Sequence, residues 1–157
     1  MKRITALICT LLVIGFTLSA AVNVSADDLQ LGAITSDTAI GDVSLVLGNG
    51  SAEVVASSAS AVDADGNAYE KMLTLSGDSL LSFSANEGET LKITALAPSD
   101  GTELSLLLSS DTGVAETLTG TSADGVTVSI EYPIEATGTY TVSAGGGTAT
   151  IYQVVVE

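Results

Sequence analysis

From Val126 to Tyr132 apolar and polar side chains alternate without a break, with Val126, Val128, Ile130 and Tyr132 on one side and Thr127, Ser129 and Glu131 on the other. A period of two is that of a strand with one face in a core and one in water, and it fits no helix. Leu104, Leu106 and Leu108 repeat it against Ser105 and Ser109, and Leu91, Ile93 and Ala95 against Lys92 and Thr94. Similar runs predict strands near 43–48, 53–56, 69–76, 79–85, 90–96, 103–109, 114–119, 125–132, 138–144 and 148–156. Turn chemistry separates them: Asp65-Gly66, Ser76-Gly77-Asp78, Asp100-Gly101, Asp124-Gly125 and Gly145-Gly146-Gly147. Pro98 and Pro133 fall just past strands, where a missing amide donor costs nothing. No stretch competes as a helix. The expectation is an all-β fold, a two-layer antiparallel β-sandwich of jelly-roll or immunoglobulin-like topology. Its core should hold Leu73, Leu75, Phe83, Leu91, Ile93, Leu106, Val128, Ile130, Val142 and Ile151.

The N-terminus follows a different rule. Lys2 and Arg3 precede an apolar stretch from Ile4 to Leu18, and Val24-Ser25-Ala26 supplies small residues for leader peptidase. The expected organisation is a signal peptide over 1–26, a loose segment over 27–42 and a β-sandwich domain over 43–157, with 57–68 as a long loop. The apolar run is shorter than the about 20 residues a spanning helix needs, so the protein is expected to be secreted or at the cell surface, with no membrane attachment after cleavage. The lone Cys9 lies in the leader, which leaves the mature chain without a thiol or disulfide and dependent on its packed core.

Removing the leader leaves Lys71 and Lys92 as the only cationic side chains against nineteen Asp and Glu, a formal charge of −17 where the whole chain has −15. A surface of that sign repels nucleic acid and anionic lipid, whose binding depends on cations. The mature chain has no His, Arg, Cys or Trp, which removes triad, thiolate and forked-guanidinium chemistry. Paired carboxylates such as Glu87 and Glu89, or Asp100 and Glu103, are what chance places in so acidic a domain, and a non-enzymatic role is expected. Among the aromatics, Tyr140 follows a Gly-Thr turn and suits a corner tie, whereas Tyr132 and Tyr152 lie among apolar residues. Tyr69 opens its strand beside a polar loop and is the candidate ligand platform. Asp63, Asp65 and Asn67 set oxygen ligands at alternate positions, which calcium accepts, although Gly66 directly after Asp65 also makes a plain turn. No cofactor is required, and Ca2+ is the one ion the pattern admits.

The run from Asp65 to Gly77, with Tyr69, Lys71, Leu73 and Leu75, is followed by Ser82-Phe83-Ser84 and by Gly88, Thr90 and Lys92. Together with Gly138-Thr139-Tyr140 and Ile151-Tyr152, it resembles the small β-sandwich modules of secreted bacterial pectate lyases and related polysaccharide-degrading enzymes. The resemblance extends over roughly 40–156, and rests on order and spacing. Met72 and Glu103 stand where those modules usually carry arginines. The prepeptidase C-terminal β-sandwich of secreted bacterial proteases shares the Gly88-Thr90 and Gly138-Tyr140 features. The first resemblance implies extracellular polysaccharide binding, with Tyr69 and Lys71 near the ligand, and the anionic surface favours neutral glycans over polyanionic ones. The alternative is a structural or adhesive scaffold without a ligand site, in which the tyrosines are buried and no cleft exists.

Overall fold

The computed structural model describes residues 21–157 apart from 64, 99–102, 123–125 and 146; the apolar leader stretch and the Asp100-Gly101 and Asp124-Gly125 turns lie outside those residues. The chain runs through β1 (Val22–Ser25), a short 3-10 turn (Ala26–Asp28), β2 (Gly32–Ile34), β3 (Thr38–Ile40), β4 (Val43–Val46), β5 (Ser51–Val62), β6 (Ala68–Ser76) and β7 (Leu80–Ala85). It continues through β8 (Thr90–Leu96), β9 (Leu104–Ser110), β10 (Ala115–Gly120), β11 (Thr127–Pro133), β12 (Gly138–Ser143) and β13 (Thr148–Val156). No helix among the described residues is long and apolar enough to cross a membrane.

One sheet has the order β11-β8-β13-β6-β5-β2, with β1 also paired to β13; the other has the order β10-β9-β12-β7-β4-β3. From β6 onward the chain passes from sheet to sheet so that β6-β13-β8-β11 faces β7-β12-β9-β10, which is jelly-roll order rather than immunoglobulin-like order. The hairpins β5–β6 and β3–β4 lengthen the two sheets at one side.

All ten residues expected in the core are buried, from Leu75, Leu91, Ile93, Val128 and Val142 at 0 % exposure to Ile130 at 5 %. They pack between the sheets because each is the inward member of an alternating pair. Tyr140 is fully buried and its hydroxyl donates to Ala136 O at 2.6 Å, a corner tie of the expected kind. Its ring lies 6.3 Å from that of Phe83.

Two stretches differ from the expectation. Residues 27–42 carry most of the 3-10 turn, β2 and β3, and Ile40 is buried; each strand is three residues long with a single large apolar side chain, Ile34 or Ile40, too few to print an alternation. Residues 57–68 are not one long loop. β5 runs on to Val62, and after a register shift between Ala56 and Ala61 it pairs Ala61 with Tyr69 and Val62 with Ala68.

The turn linking β6 to β7 crosses the chain before β5 at a close backbone contact. Ser79 is fully buried there, its hydroxyl accepting from Ser76 N at 3.0 Å and facing the carbonyls of Ser51 and Ser76. A Cβ on Gly50 would lie closer than 3.0 Å to Ser76 O, Ser79 N and Asp78 N, all backbone atoms. Gly50→Ala should therefore lower stability by about 3 kcal/mol or more, because neither segment can yield without breaking the crossing. Urea unfolding of the variant and parent measures this, and an unchanged midpoint would mean that the crossing is looser than the backbone indicates.

Candidate functional site

The seven-stranded sheet keeps a second, outward face, and an irregularity in β13 shapes it. β13 pairs with β8 through Ile151↔Ala95 and then Gln153↔Thr94, leaving Tyr152 as the extra residue of a bulge. A bulge sets two consecutive side chains on the same face. Ile151 accordingly enters the main core, while Tyr152 joins Tyr69 and Ala61 in a separate small apolar cluster with Met72 and Val126 against it. The Tyr69 and Tyr152 rings are stacked, with centroids 5.2 Å apart.

Beside this cluster runs an open groove of about 460 Å3. Its floor is built from the outward residues of adjacent strands. Asn23 of β1 stands opposite Val155 of β13, Val155 opposite Lys92 of β8, and Lys92 opposite Glu131 of β11. The next row is Gln153, Thr94 and Ser129. Asp63, Asp65 and Asn67 form a wall, and Glu157, Thr121 and Thr127 complete the lining.

The wall is rigid for a specific reason. Asp63 Oδ1 accepts from the backbone amides of Asp65 at 3.0 Å and Asn67 at 2.9 Å, and the Asn67 side-chain amide donates to both carboxylate oxygens at 3.2 and 3.0 Å. The Tyr69 hydroxyl adds a bond of 2.8 Å to Asp63 Oδ2. Partial burial pushes the Asp63 carboxyl up, but the hydrogen bonds from Asn67, Tyr69 and Asp65 outweigh it and hold the group below the ordinary Asp range.

Tyr69 also stands 2.7 Å from the Gln153 side-chain amide, and Thr94 bonds to the same hydroxyl. A phenol has one proton, shared here between Asp63 Oδ2 and Gln153 Oε1, and the charged carboxylate is the stronger acceptor. The other end of Gln153 meets the Asn23 side chain at 2.9 Å. Burial first, and then the Asp63 bond, push the Tyr69 hydroxyl well above the usual tyrosine range, so it remains a donor. At the other side of the floor Lys92 Nζ and Glu157 Oε1 form an ion pair of 2.5 Å, which holds the Lys92 ammonium above its ordinary value.

The residues singled out from sequence are thus divided. Asp63, Asp65 and Asn67 come together and line the groove. Tyr69 does not offer a platform: it is 3 % exposed, its face is covered by Tyr152, and only its hydroxyl reaches groove side chains from beneath. Lys71 is absent from the lining, its ammonium donating to the carbonyls of Asp27 and Leu29 at 2.7 Å each. Tyr140 and Tyr152 are buried and Tyr132 is partly buried against the core, so no tyrosine ring is offered to a ligand, yet a cleft is present. Both Asp63 oxygens are engaged within the loop by Asp65, Asn67 and Tyr69, and no group of three or more His, Cys, Asp or Glu able to hold a metal occurs among the described residues. The alternation marks Thr94 and Ser129 as polar-out but not their convergence with Gln153, and Asn23 is hidden by the leader that adjoins it.

No protein-family model matches the chain, and no curated protein matches it. Among solved structures it is similar to an exo-β-1,3-galactanase from Phanerochaete chrysosporium with galactose, at 13 % identity and a TM-score of 0.51. That match covers 88 % of this chain and 30 % of the galactanase, so the chain spans less than a third of that protein. CBM35 from Cellvibrio japonicus Abf62 matches at 13 % identity and a TM-score of 0.42, over 88 % of this chain and 93 % of the module. CBM51 from Clostridium perfringens, in complex with methyl-galactose, matches at 13 % and 0.41, over 87 % of this chain and all of the module, 100 %. At these identities the likeness is one of fold, a two-sheet β-sandwich.

Tyr69→Phe keeps the stack on Tyr152 and removes only the hydroxyl. It should lower stability by about 1–2 kcal/mol and speed amide exchange at Asp65 and Asn67 while the core amides stay protected. Exchange measured by NMR separates the two sets, and equal acceleration everywhere would deny the hydroxyl its local role. The same loop should loosen in acid. Because the folded Asp63 carboxyl lies below the ordinary Asp value of 3.8, its bonds contribute fully above that pH and are lost as pH falls through the folded value. The protection of Asn67 relative to a free chain, followed from pH 6 to below 3.8, should fall only at the acid end.

Proposed function

We propose that the domain is a non-catalytic module that binds a neutral polysaccharide outside the cell, in the groove on the outer face of the seven-stranded sheet. The observation that carries this reading is the composition of the floor. Gln153, Thr94, Ser129 and Asn23 are amides and hydroxyls held in rows by strand register, and such groups pair with sugar hydroxyls in either donor sense. Across the four strands β1, β13, β8 and β11 the rows extend about 14 Å, a length suited to an oligosaccharide rather than a single sugar. Asp63, Asp65, Glu131 and Glu157 surround one lysine, which is already paired, so the groove disfavours uronic acids.

A binding role is preferred to hydrolysis on the same chemistry. A glycosidase acid needs a carboxyl with a raised pKa, whereas Asp63 is lowered and held by three residues. The likeness of Asp65 to Gly77 and the later motifs to modules of secreted pectate lyases supports an extracellular polysaccharide role. The fold shared with part of a galactanase makes β-1,3-galactan the first glycan to try. One observation favours the second reading, an extracellular scaffold: no aromatic ring faces the groove, and ring stacking is the usual companion of sugar binding.

Affinity gels and calorimetry with β-1,3-galactan, xylan, arabinan and polygalacturonate, each with calcium and with chelator, decide between the readings. Retention of a neutral glycan, equal in calcium and chelator, is expected. Ser129→Tyr, a change at an exposed position on the floor, should weaken that binding at least about tenfold with an unaltered melting temperature. If every glycan elutes unretarded, the scaffold reading takes its place.

A further inference from the structure

We propose that leader peptidase hydrolyses the Ala21–Val22 bond, ahead of the Ala26–Asp27 bond, and that β1 belongs to the mature protein. The proposal rests on the leader reading. Two bonds in this stretch have small residues at the positions before the cut: Ser19 and Ala21 precede one, Val24 and Ala26 the other. The pattern alone does not rank them, but the fold does.

β1 is built into the sandwich. Val22, Asn23, Val24 and Ser25 pair in register with Val156, Val155, Val154 and Gln153. Val22, Val24 and Ala26 are 3, 6 and 3 % exposed and belong to the main core. β1 occupies the place that β6 vacates, since β6 pairs with β13 only through Leu73↔Ile151 to Ser76↔Thr148. The amides of Glu70 and Lys71, beyond that pairing, donate to Asp27 Oδ1 at 2.9 and 2.7 Å, and Lys71 Nζ bonds to Asp27 O.

A cut after Ala26 would take away β1, leave one edge of β13 unpaired from Gln153 to Val156, and turn the Asp27 bracket into a free chain end. It would also remove Asn23 from the groove and its bond from Gln153. A cut after Ala21 loses none of these contacts, because Ala21 is exposed and precedes the strand. In that reaction water adds across the Ala21–Val22 amide, leaving a carboxylate on Ala21 of the leader and an ammonium on Val22 of the domain. The register that sets Val22 against Val156 brings this ammonium to the end of β13 that Glu157 follows.

The full chain exported from a secreting bacterial host, analysed by intact mass and N-terminal sequencing, tests the proposal. A single species from Val22 to Glu157 is expected, and Ala21→Leu, which puts a bulky residue directly before the bond, should abolish that species. A product beginning at Asp27, or at any residue other than Val22, would overturn the assigned bond while leaving the leader standing. An exported chain still carrying Met1 would overturn the leader reading as well, and an undiminished Val22 product from Ala21→Leu would overturn the recognition argued here.

Discussion

Strand β13 is held by three others: β8 lies along one edge, and β6 followed by β1 along the other. The sheet continues as one surface across this exchange of partners, which happens within a few residues of the bulge at Tyr152. Where β6 diverges, Asp27 supplies a carboxylate to its freed amides and Lys71 closes the turn that carries Asp27. A side chain and a short terminal strand together do the work of one continuous neighbour.

The outward face inherits its shape from this junction. With Tyr152 and Gln153 on the same side, Tyr152 builds a second small core with Tyr69 and Gln153 joins the polar floor beside it. The Tyr69 hydroxyl links the turn residue Asp63 to Gln153 on the floor. The groove is therefore positioned by buried contacts rather than by a free loop, and its polar groups are oriented before any ligand arrives.

Much of the fold was legible in the sequence because large apolar residues alternate with Ser and Thr in β6 to β13, and every residue expected in the core from that alternation is buried. β2, β3 and the far half of β5 escaped notice since Ala33, Ala39 and Ala61 give too little contrast to mark a face. β1 was masked by the adjoining leader, whose small residues obey a peptidase rather than a core. For the site, the turn of Asp63, Asp65 and Asn67 was visible because its ligands are close in sequence. Tyr69 was misread because its cover, Tyr152, lies far along the chain and reaches it only through a bulge that no local pattern announces. Thr94, Ser129 and Gln153 converge through the order of β11, β8 and β13, which is a property of long-range pairing.

The pairing of Val22 with Val156 has a geometric consequence. The chain enters and leaves the sandwich at neighbouring points on the same sheet, so a linker of only a few residues would join the two ends into a ring. Grafted into a surface loop of a host protein, such a domain would demand almost no separation of the host's own flanking residues. The groove, lined by Asn23 of β1 and Val155 of β13, would then lie beside the point of attachment.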